Sequence, residues 1–233
     1  MIARNPLLVA IDTQDPAEAR RLVGAVAGVA GGIKLGLEFF AANGPSAVKE
    51  VAFGETLFLD LKLHDIPNTV ARAVRAVSVL EPSMLTVHAA GGSAMMRAAS
   101  EAARDAGAHG RRPQILGVTV LTSLDDGDLA RLGQSGPVAE QALRLALLAR
   151  DSGLDGVVCS PLEVAMLRQA CGRDFLLVVP GIRPAGASVG DQKRVMTPKE
   201  ALAAGADYLV IGRPITEAAD PAAAARAITA QLA

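Results

Sequence analysis

Short apolar runs recur along the chain, and longer amphipathic stretches separate them. The runs are rich in valine, isoleucine and leucine, which is typical of strands buried on both faces of a parallel sheet. The stretches between them space their apolar residues as a helix does, for example at Val70, Ala73, Val74 and Val77. Strands that alternate with helices in this way predict a parallel sheet built through right-handed crossovers.

The number of predicted strands decides between an open sheet and a closed barrel. Eight runs qualify, and each is followed by a segment compatible with a helix. This count favours an α/β fold of the (β/α)8 type, a TIM barrel. No linker, low-complexity run or charge block indicates a second domain, so we expect one domain covering residues 1–233. The predicted strands are Leu7 to Asp12, Gly32 to Gly36, Thr56 to Leu63, Met84 to His88, Gln114 to Leu121, Gly156 to Ser160, Phe175 to Pro180 and Tyr208 to Gly212.

The amino-acid composition agrees with this fold and limits the kinds of ligand that the protein is expected to bind. Of the 233 residues, 51% are hydrophobic and only 3% are aromatic, as expected of buried strands covered by alanine-rich helices. Lysine and arginine number 23, and aspartate and glutamate number 24. Because these charges balance, the protein as a whole lacks the field of a nucleic-acid or membrane-surface binder. An anionic ligand would therefore need a local site.

The start of the chain and its cysteines indicate the compartment. The first apolar run begins at Leu7, which leaves no room for a secretory leader, and no run approaches the roughly 18 uncharged residues of a membrane span. Cys159 and Cys171 have no metal-ligand spacing and no companion histidine pair. We therefore expect a cytoplasmic protein with structural thiols and no bound metal.

Polar residues lie at the carboxyl ends of the predicted strands, which is where barrels of this type carry their chemistry. The third strand is the most informative, because Phe58, Asp60 and Lys62 share the face that is expected to point into the barrel. The other polar residues at or just after strand ends are Asp12, Lys34, His88, Thr122, Ser123, Arg183 and Arg213.

The third strand brings a carboxylate and an ammonium group into the barrel, where unpaired charges are unfavourable by several kcal/mol. Asp65 follows three residues after Lys62, and Lys34 on the neighbouring strand adds a second cation. Two ammonium groups and two carboxylates could therefore alternate at the barrel mouth and hold a charged lysine beside a ligand. A purely structural ion pair between Asp60 and Lys62 is the alternative interpretation.

Two further segments predict a site for a phosphate group. Gly212-Arg213 follows the eighth strand directly, where barrels commonly bind phosphate, and there Gly212 would admit the phosphate and Arg213 would bind its oxygens. Pro180-Gly181-Ile182-Arg183 opens a glycine-containing stretch that could carry Gln192 over a ligand as a lid. A solvent-facing arginine and ordinary loop flexibility are the alternatives.

The three histidines carry less weight. His64 could shuttle protons, but a packed or capping role is favoured for it. His88 could line the site or be structural. His109 lies in a polar turn and is expected to be solvated.

The segment from Asp60 to Val70, with the sequence DLKLHDIPNTV, resembles the signature of the orotidine 5′-monophosphate decarboxylases. Further residues fall in that family's order and at its strand ends, so the resemblance extends from residue 7 to about residue 215. No functional position departs from the family's pattern. The further residues are Asp12, Lys34, Thr122, Ser123, Pro180, Gly181, Ile182, Arg183, Gln192, Gly212 and Arg213.

The resemblance implies an activity. It implies the decarboxylation of orotidine 5′-monophosphate to uridine 5′-monophosphate, the last step of pyrimidine nucleotide synthesis, without metal or organic cofactor. Lys62 would be the general acid that protonates the ring carbon vacated by carbon dioxide, and Asp60 would lie against the departing carboxylate. Lys34 and Asp65 would complete the charged network.

The resemblance also implies a homodimer and a set of substrate contacts. Asp65, Ile66 and Thr69 would reach the active site of the neighbouring subunit, so that two sites are shared. Asp12 and Lys34 would hold the ribose hydroxyls, and Thr122 with the backbone of Ser123 would bind the pyrimidine edge. The remaining implied contacts, most of them to the phosphate, are Pro180, Arg183, Gln192, Gly212 and Arg213.

Two other classes of protein share part of this pattern. Barrels of the 3-keto-L-gulonate 6-phosphate decarboxylase and hexulose-phosphate synthase type resemble the chain on the third strand, but they use magnesium and carry a carboxylate ligand on the second strand. The corresponding residue here is Lys34, a cation, which repels magnesium. A phosphate-binding barrel without catalytic function would keep Gly212-Arg213, but it would not need the costly cluster of Asp60, Lys62 and Asp65.

Overall fold

The computed structural model describes residues 5–108, 110–184 and 196–232 of the chain. Within them, eight parallel strands pair in chain order and the last pairs with the first, so the sheet closes into a barrel. The predicted single-domain (β/α)8 barrel is therefore confirmed. The strands are β1 (Leu7–Ile11), β2 (Gly32–Gly36), β3 (Leu57–Leu63), β4 (Met84–His88), β5 (Gln114–Val118), β6 (Gly156–Val158), β7 (Leu176–Val179) and β8 (Tyr208–Ile211).

Helices follow the strands and cover the outside of the barrel. Two short 3-10 turns, Ala89–Gly91 and Pro161–Glu163, lead into the helices after β4 and β6. No helix of the described ranges is long and apolar enough to cross a membrane. The helices are α1 (Pro16–Val26), α2 (Leu37–Val51), α3 (Pro67–Ser78), α4 (Gly92–Gly107), α5 (Asp126–Arg131), α6 (Val138–Asp151), α7 (Val164–Cys171), α8 (Pro198–Ala204), α9 (Arg213–Thr216) and α10 (Pro221–Thr229).

Local sequence signals set where several helices begin. Pro67 is the first residue of α3, where its missing N–H costs no helical hydrogen bond. The Asp15 carboxylate caps α1 by accepting a hydrogen bond from the Ala17 N–H. Thr197 and Glu200 form a reciprocal capping box at the start of α8. Helix α2 is interrupted at Gly44, where φ is 72° and Pro45 follows, so it consists of two helical segments.

Alternate residues of the strands face two separate apolar clusters. The larger cluster lies between the barrel and its helices and includes Leu57, Leu59 and Leu61 of β3. The smaller cluster fills the barrel interior. Phe58 belongs to the interior cluster, which confirms the predicted orientation of β3. The interior cluster consists of Leu8, Ala10, Phe58, Met84, Leu116, Val178, Tyr208 and Val210.

Five of the predicted strands extended too far at their carboxyl ends. Strands β1, β5, β6, β7 and β8 end one to three residues earlier than the apolar runs that predicted them. For β5 and β6 the reason is that apolar residues continue beyond the last pairing bond to line a pocket, as Val120 and Cys159 do. Hydrophobicity reports burial, and at the barrel mouth burial continues where strand pairing has stopped.

Strand β3 carries an irregularity next to its charged residues. Leu59 pairs with Leu85 and Leu63 pairs with Val87, so between these two pairs β3 advances by four residues and β4 by only two. Lys62 lies in this bulge with φ of 49°, a left-handed conformation that non-glycine residues rarely adopt. Such a conformation costs on the order of 1–3 kcal/mol, and it persists only where the surrounding structure holds it.

Candidate active site

Four charged side chains alternate in sign at the carboxyl ends of β1, β2 and β3. Lys34 Nζ lies 3.1 Å from Asp12 Oδ1 and 3.8 Å from Asp60 Oδ2. Lys62 Nζ lies 2.7 Å from Asp60 Oδ2. The order Asp12, Lys34, Asp60, Lys62 forms a continuous chain of ion pairs, which we call the charged array. The side chains of Lys34 and Asp60 are each only 12% exposed, whereas that of Asp12 is 56% exposed.

The barrel register brings this array together. Lys34 pairs with Ala10 of β1 and with Phe58 of β3, and Asp60 pairs with Gly36 of β2. The Lys34 side chain therefore starts one layer deeper than Asp60 and extends along the interior towards the mouth. A Cβ atom at Gly36 would lie 3.1 Å from Lys34 Nζ, so the absence of a side chain there leaves space for the ammonium group.

Burial and charge act in opposite directions on Asp60. Desolvation alone would raise the pKa of its carboxyl group, since burial disfavours the charged form. The ammonium groups of Lys34 and Lys62, with hydrogen bonds from Lys62 and Thr86, outweigh that effect and hold the pKa of Asp60 below its ordinary value. Asp60 is therefore a carboxylate at neutral pH.

Thr86 on β4 was missed in the sequence analysis. Its hydroxyl accepts a hydrogen bond from the Lys62 backbone N–H at 2.9 Å and donates one to Asp60 Oδ1 at 2.9 Å. The residue is fully buried. A signal was present, because Met84, Thr86 and His88 alternate on the inward face of an otherwise apolar strand and a buried hydroxyl requires polar partners.

The charged array forms one wall of a cavity of about 470 Å³ at the barrel mouth. The cavity floor is apolar and is made of residues from several strands, including Ala10, Phe58 and Val210. A pocket of this size and composition suits a small molecule with polar groups at fixed positions. The predicted site residues that line it are Asp12, Lys34, Asp60, Lys62, Thr122, Pro180, Arg183, Gly212 and Arg213.

Two arginines lie at the side of the cavity formed after β7 and β8. Arg213 begins the short helix α9 directly after β8 and Gly212. Arg183 follows the buried Ile182, which bridges to Met196, and the Arg183 backbone N–H donates to the Met196 carbonyl at 3.0 Å. Both guanidinium groups belong to residues that line the same cavity as the charged array.

The structure does not bring every predicted site residue into this cavity. Asp65, Ile66 and Thr69 are exposed and do not line the cavity of their own chain, and the side chain of Ile66 is among the exposed large apolar groups. Ser123 is also absent from the lining, although its neighbour Thr122 is present. Gln192 lies outside the described residues.

Two of the histidines lie together beside the array. The rings of His64 and His88 have centroids 5.5 Å apart. Burial lowers the pKa of His88, and the nearby His64 and Lys62 lower it further, whereas Asp60 opposes them. His88 is therefore neutral at pH 7. His109 lies outside the described residues.

Cys159 and Cys171 are buried thiols that form no disulfide. Cys159 lines the cavity, and burial raises the pKa of the Cys171 thiol. In the described part of the chain, no group of three or more His, Cys, Asp and Glu side chains is placed to hold a metal ion.

A closed parallel barrel with paired lysines and aspartates, an apolar floor and two arginines at its mouth defines the class of (β/α)8 enzymes that act on small anionic molecules. Comparison with known proteins identifies the family. The chain belongs to the orotidine 5′-phosphate decarboxylase / HUMPS family, whose model matches residues 5–228.

Relatives of known sequence match almost the whole chain. Orotidine 5′-phosphate decarboxylase from Rhodospirillum rubrum is 58% identical over 235 residues, covering 99% of this chain and 95% of that protein. The enzyme of the same name from Paramagnetospirillum magneticum is 56% identical over 231 residues and covers 98% of each chain.

A solved structure agrees with these matches. The crystal structure of orotidine 5′-phosphate decarboxylase from Lactobacillus acidophilus superimposes with a TM-score of 0.86 at 41% identity, covering 98% of this chain and 99% of that chain. The resemblance seen in the sequence is thereby confirmed at the level of the family.

Proposed function

We propose that this protein decarboxylates orotidine 5′-monophosphate to uridine 5′-monophosphate in pyrimidine synthesis, without a metal or an organic cofactor. The observation that carries the proposal is the charged array, because two ammonium groups and two carboxylates are held in fixed contact at one wall of a nucleotide-sized cavity. Membership of the family and relatives named for this activity support the same substrate.

The chemistry demands fixed positive charge. Loss of carbon dioxide breaks a carbon–carbon bond and leaves an electron pair in the plane of the pyrimidine ring, where the π system cannot delocalise it. A preorganised ammonium group beside that carbon stabilises the developing charge. Lys62 supplies this charge and then transfers a proton to the ring carbon as the general acid.

Asp60 acts in the opposite sense. Its carboxylate, ionised beside two lysines, lines the cavity, and in the proposed complex it lies against the substrate carboxylate. Repulsion between the two carboxylates disfavours the bound substrate more than the transition state, in which the departing group is losing its charge. Lys34 contacts the same oxygen, Asp60 Oδ2, at 3.8 Å and helps to hold the carboxylate in place.

The cavity offers contacts for the rest of the nucleotide. Asp12 and Lys34 bind the ribose hydroxyls, and Thr122 with the backbone of Ser123 binds the pyrimidine edge. Binding energy at the phosphate, far from the reacting carbon, drives closure and water exclusion, so it affects turnover as well as affinity. The residues assigned to the phosphate are Arg183, Gln192, Gly212 and Arg213, and Pro180 is a further substrate contact.

The exposed segment after β3 supports a homodimer. Asp65, Ile66 and Thr69 are placed outside their own cavity, and Ile66 is 66% exposed. In the proposed dimer these residues complete the partner's site, with Asp65 as the last carboxylate of the network. Mixing inactive Lys62→Ala and Asp65→Ala chains should restore part of the activity, because a hybrid dimer contains one intact site. Absence of any restoration at protein concentrations where sedimentation shows a dimer would contradict shared sites.

The magnesium-dependent relatives are the main alternative. Those proteins carry a carboxylate ligand at the second-strand position where this chain has Lys34. The Lys34 ammonium group lies between Asp12 and Asp60, and its positive charge disfavours a divalent ion there. A binding protein without activity is disfavoured because a buried charged array is costly without a catalytic use.

Incubation of the purified protein with orotidine 5′-monophosphate, followed by ultraviolet absorbance, tests the proposal. We expect turnover that is unchanged by EDTA. Absence of turnover would contradict the proposed activity, and loss of turnover with EDTA followed by recovery with magnesium would favour the metal-dependent class.

A further inference from the structure

We propose that Thr86 is a positioning residue that fixes the orientation of the Asp60 carboxylate and the backbone of Lys62 at once. This inference rests on the proposed function, because it concerns the two residues assigned to the chemical step. Thr86 lies on β4, contacts both residues from the neighbouring strand, and has no exposed surface.

The direction of both hydrogen bonds follows from the chemistry of the groups. The Lys62 backbone N–H can only donate, so the Thr86 oxygen must accept from it, at 2.9 Å. The ionised Asp60 carboxylate can only accept, so the single Thr86 hydroxyl proton must point to Asp60 Oδ1, also at 2.9 Å. The single hydroxyl of Thr86 therefore makes both bonds, one as acceptor and one as donor.

The bulge in β3 explains why a side chain has to make the first bond. Between the pairs Leu59–Leu85 and Leu63–Val87 the ladder to β4 is interrupted, and Lys62 lies in that interval with φ of 49°. Its N–H cannot join a regular ladder, and the Thr86 hydroxyl takes the place of the missing carbonyl. This bond holds Lys62 in its rare conformation, which directs the side chain back towards Asp60.

The second bond, from the Thr86 hydroxyl to Asp60, gives the two carboxylate oxygens different partners. Oδ1 accepts from Thr86, while Oδ2 lies 2.7 Å from Lys62 Nζ and 3.8 Å from Lys34 Nζ. Without the hydroxyl, the carboxylate could rotate about its terminal torsion, which is broad for aspartate. Rotation would change the distances in the charged array, and small misplacements of catalytic charge can cost up to about 100-fold in rate.

Matched variants separate positioning from packing. Thr86→Val keeps the shape and removes both hydrogen bonds, whereas Thr86→Ser keeps the hydroxyl and removes a methyl group. We expect Thr86→Val to lower kcat by about 10- to 100-fold with a KM within about threefold of the wild type, and Thr86→Ser to stay within about threefold in kcat. Thr119→Val is the control, because Thr119 is also buried but its hydroxyl donates to the Val158 carbonyl and does not touch the array.

The outcomes decide the inference. A thermally destabilised Thr86→Val protein with unchanged kcat per folded molecule would mean that Thr86 is only structural and would overturn the proposal. An equal loss of kcat in the valine and serine variants would overturn it too, since the methyl group would then matter and the hydroxyl would not. If Thr86→Val does not fold, Thr86→Cys, a weak hydrogen-bonding group of similar size, replaces it with the same expected direction and the same contradicting result.

A measurement that needs no activity separates this inference from the proposed function. The Thr86 hydrogen bond contributes to the low pKa of Asp60, so removal of the hydroxyl should raise that pKa in a carbon-13 NMR titration of the side chain. A wild-type protein that fails to decarboxylate orotidine 5′-monophosphate would remove the proposed function, while a raised pKa of Asp60 in the variant would still support the positioning by Thr86. An unchanged pKa of Asp60 would overturn the positioning even in an active enzyme.

Discussion

The interior of the barrel and its mouth are built from the same strands but follow opposite physical rules. Strand β1 contributes Leu8 to the apolar interior, and Asp12 lies just beyond its end at the mouth. Strand β3 contributes Phe58 to the interior and, two and four residues later on the same face, Asp60 and Lys62. A distance of one or two side-chain layers therefore separates a region that favours folding from a region that opposes it.

The contrast shows how the fold accommodates a costly site. The interior gains stability by removing apolar surface from water, at roughly 25 cal/mol per Å². The mouth instead desolvates charges and holds Lys62 in a strained conformation, and both are unfavourable. Ion pairing and the hydroxyl of Thr86 reduce that cost, and the rigid strands keep the charges where the proposed chemistry needs them. Substitutions in the two regions should therefore affect different measured quantities.

The largest effect is expected for Lys62→Ala at the mouth. The change removes the proposed proton donor together with the fixed positive charge, so kcat should fall by at least about 10⁴-fold. The melting temperature should stay close to that of the wild type, because the desolvated ammonium group is lost along with its ion pair and Lys34 still contacts Asp60. Steady-state kinetics and thermal unfolding measure the two quantities, with the exposed Lys49→Ala as the control. Substantial turnover in Lys62→Ala would remove this residue from the chemical step.

The opposite result is expected for Leu8→Ala in the interior. Leu8 has no exposed surface, belongs to the interior cluster and does not line the cavity. Its truncation should lower the free energy of unfolding by about 2–5 kcal/mol, while kcat per folded molecule changes little. Urea unfolding at fixed protein concentration measures the loss. A large fall in kcat with unchanged stability would contradict the separation of the two regions.

A smaller effect is expected for Arg213→Ala at the phosphate side of the mouth. Loss of charged hydrogen bonds to the phosphate should reduce transition-state stabilisation by about 3 kcal/mol. This corresponds to a roughly 150-fold lower kcat/KM for orotidine 5′-monophosphate. The exposed Arg226→Ala variant on α10 should leave kcat/KM unchanged. If Arg213→Ala retained the wild-type value, the phosphate assignment of Arg213 would be wrong.

The smallest effect concerns the pH dependence of stability at His88, which lies where the two regions meet. The folded state holds the pKa of His88 below its ordinary value, whereas the unfolded state binds a proton near about pH 6.5. Below that pH the unfolded state takes up more protons, so this residue's contribution to stability declines as the pH falls from 6.5 through the lower folded pKa. A His88→Gln variant should lose less stability than the wild type between pH 7.5 and pH 5.5 in urea titrations. Parallel pH curves for the two proteins would contradict the lowered pKa.

Local patterns in the sequence carried much of the fold and part of the site. Periodic apolar runs gave all eight strands in order, although β5 and β6 ended earlier than predicted because their apolar residues continue into the cavity wall. The alternation around Asp60 predicted that Asp60 and Lys62 share the inward face, and both line the cavity.

Other features depend on contacts between distant segments, which periodicity does not record. The contact of Lys34 with Asp12 follows from the pairing of β1 with β2, and the contact of Thr86 with Asp60 follows from an irregular pairing of β3 with β4. The grouping of Asp65 with the other charges was predicted from its spacing, yet Asp65 is exposed and does not line the cavity of its own chain.

The amino-acid sequence by itself determined the alternation of strands and helices, the inward face of the third strand and the residue types available at the barrel mouth, because these depend on neighbours a few positions apart. Only the tertiary structure decided the order of charges from Asp12 to Lys62, the left-handed conformation of Lys62 and the hydroxyl that supports both. The physical reason is that barrel closure and register set distances between residues far apart in the chain, and electrostatic interactions depend steeply on those distances.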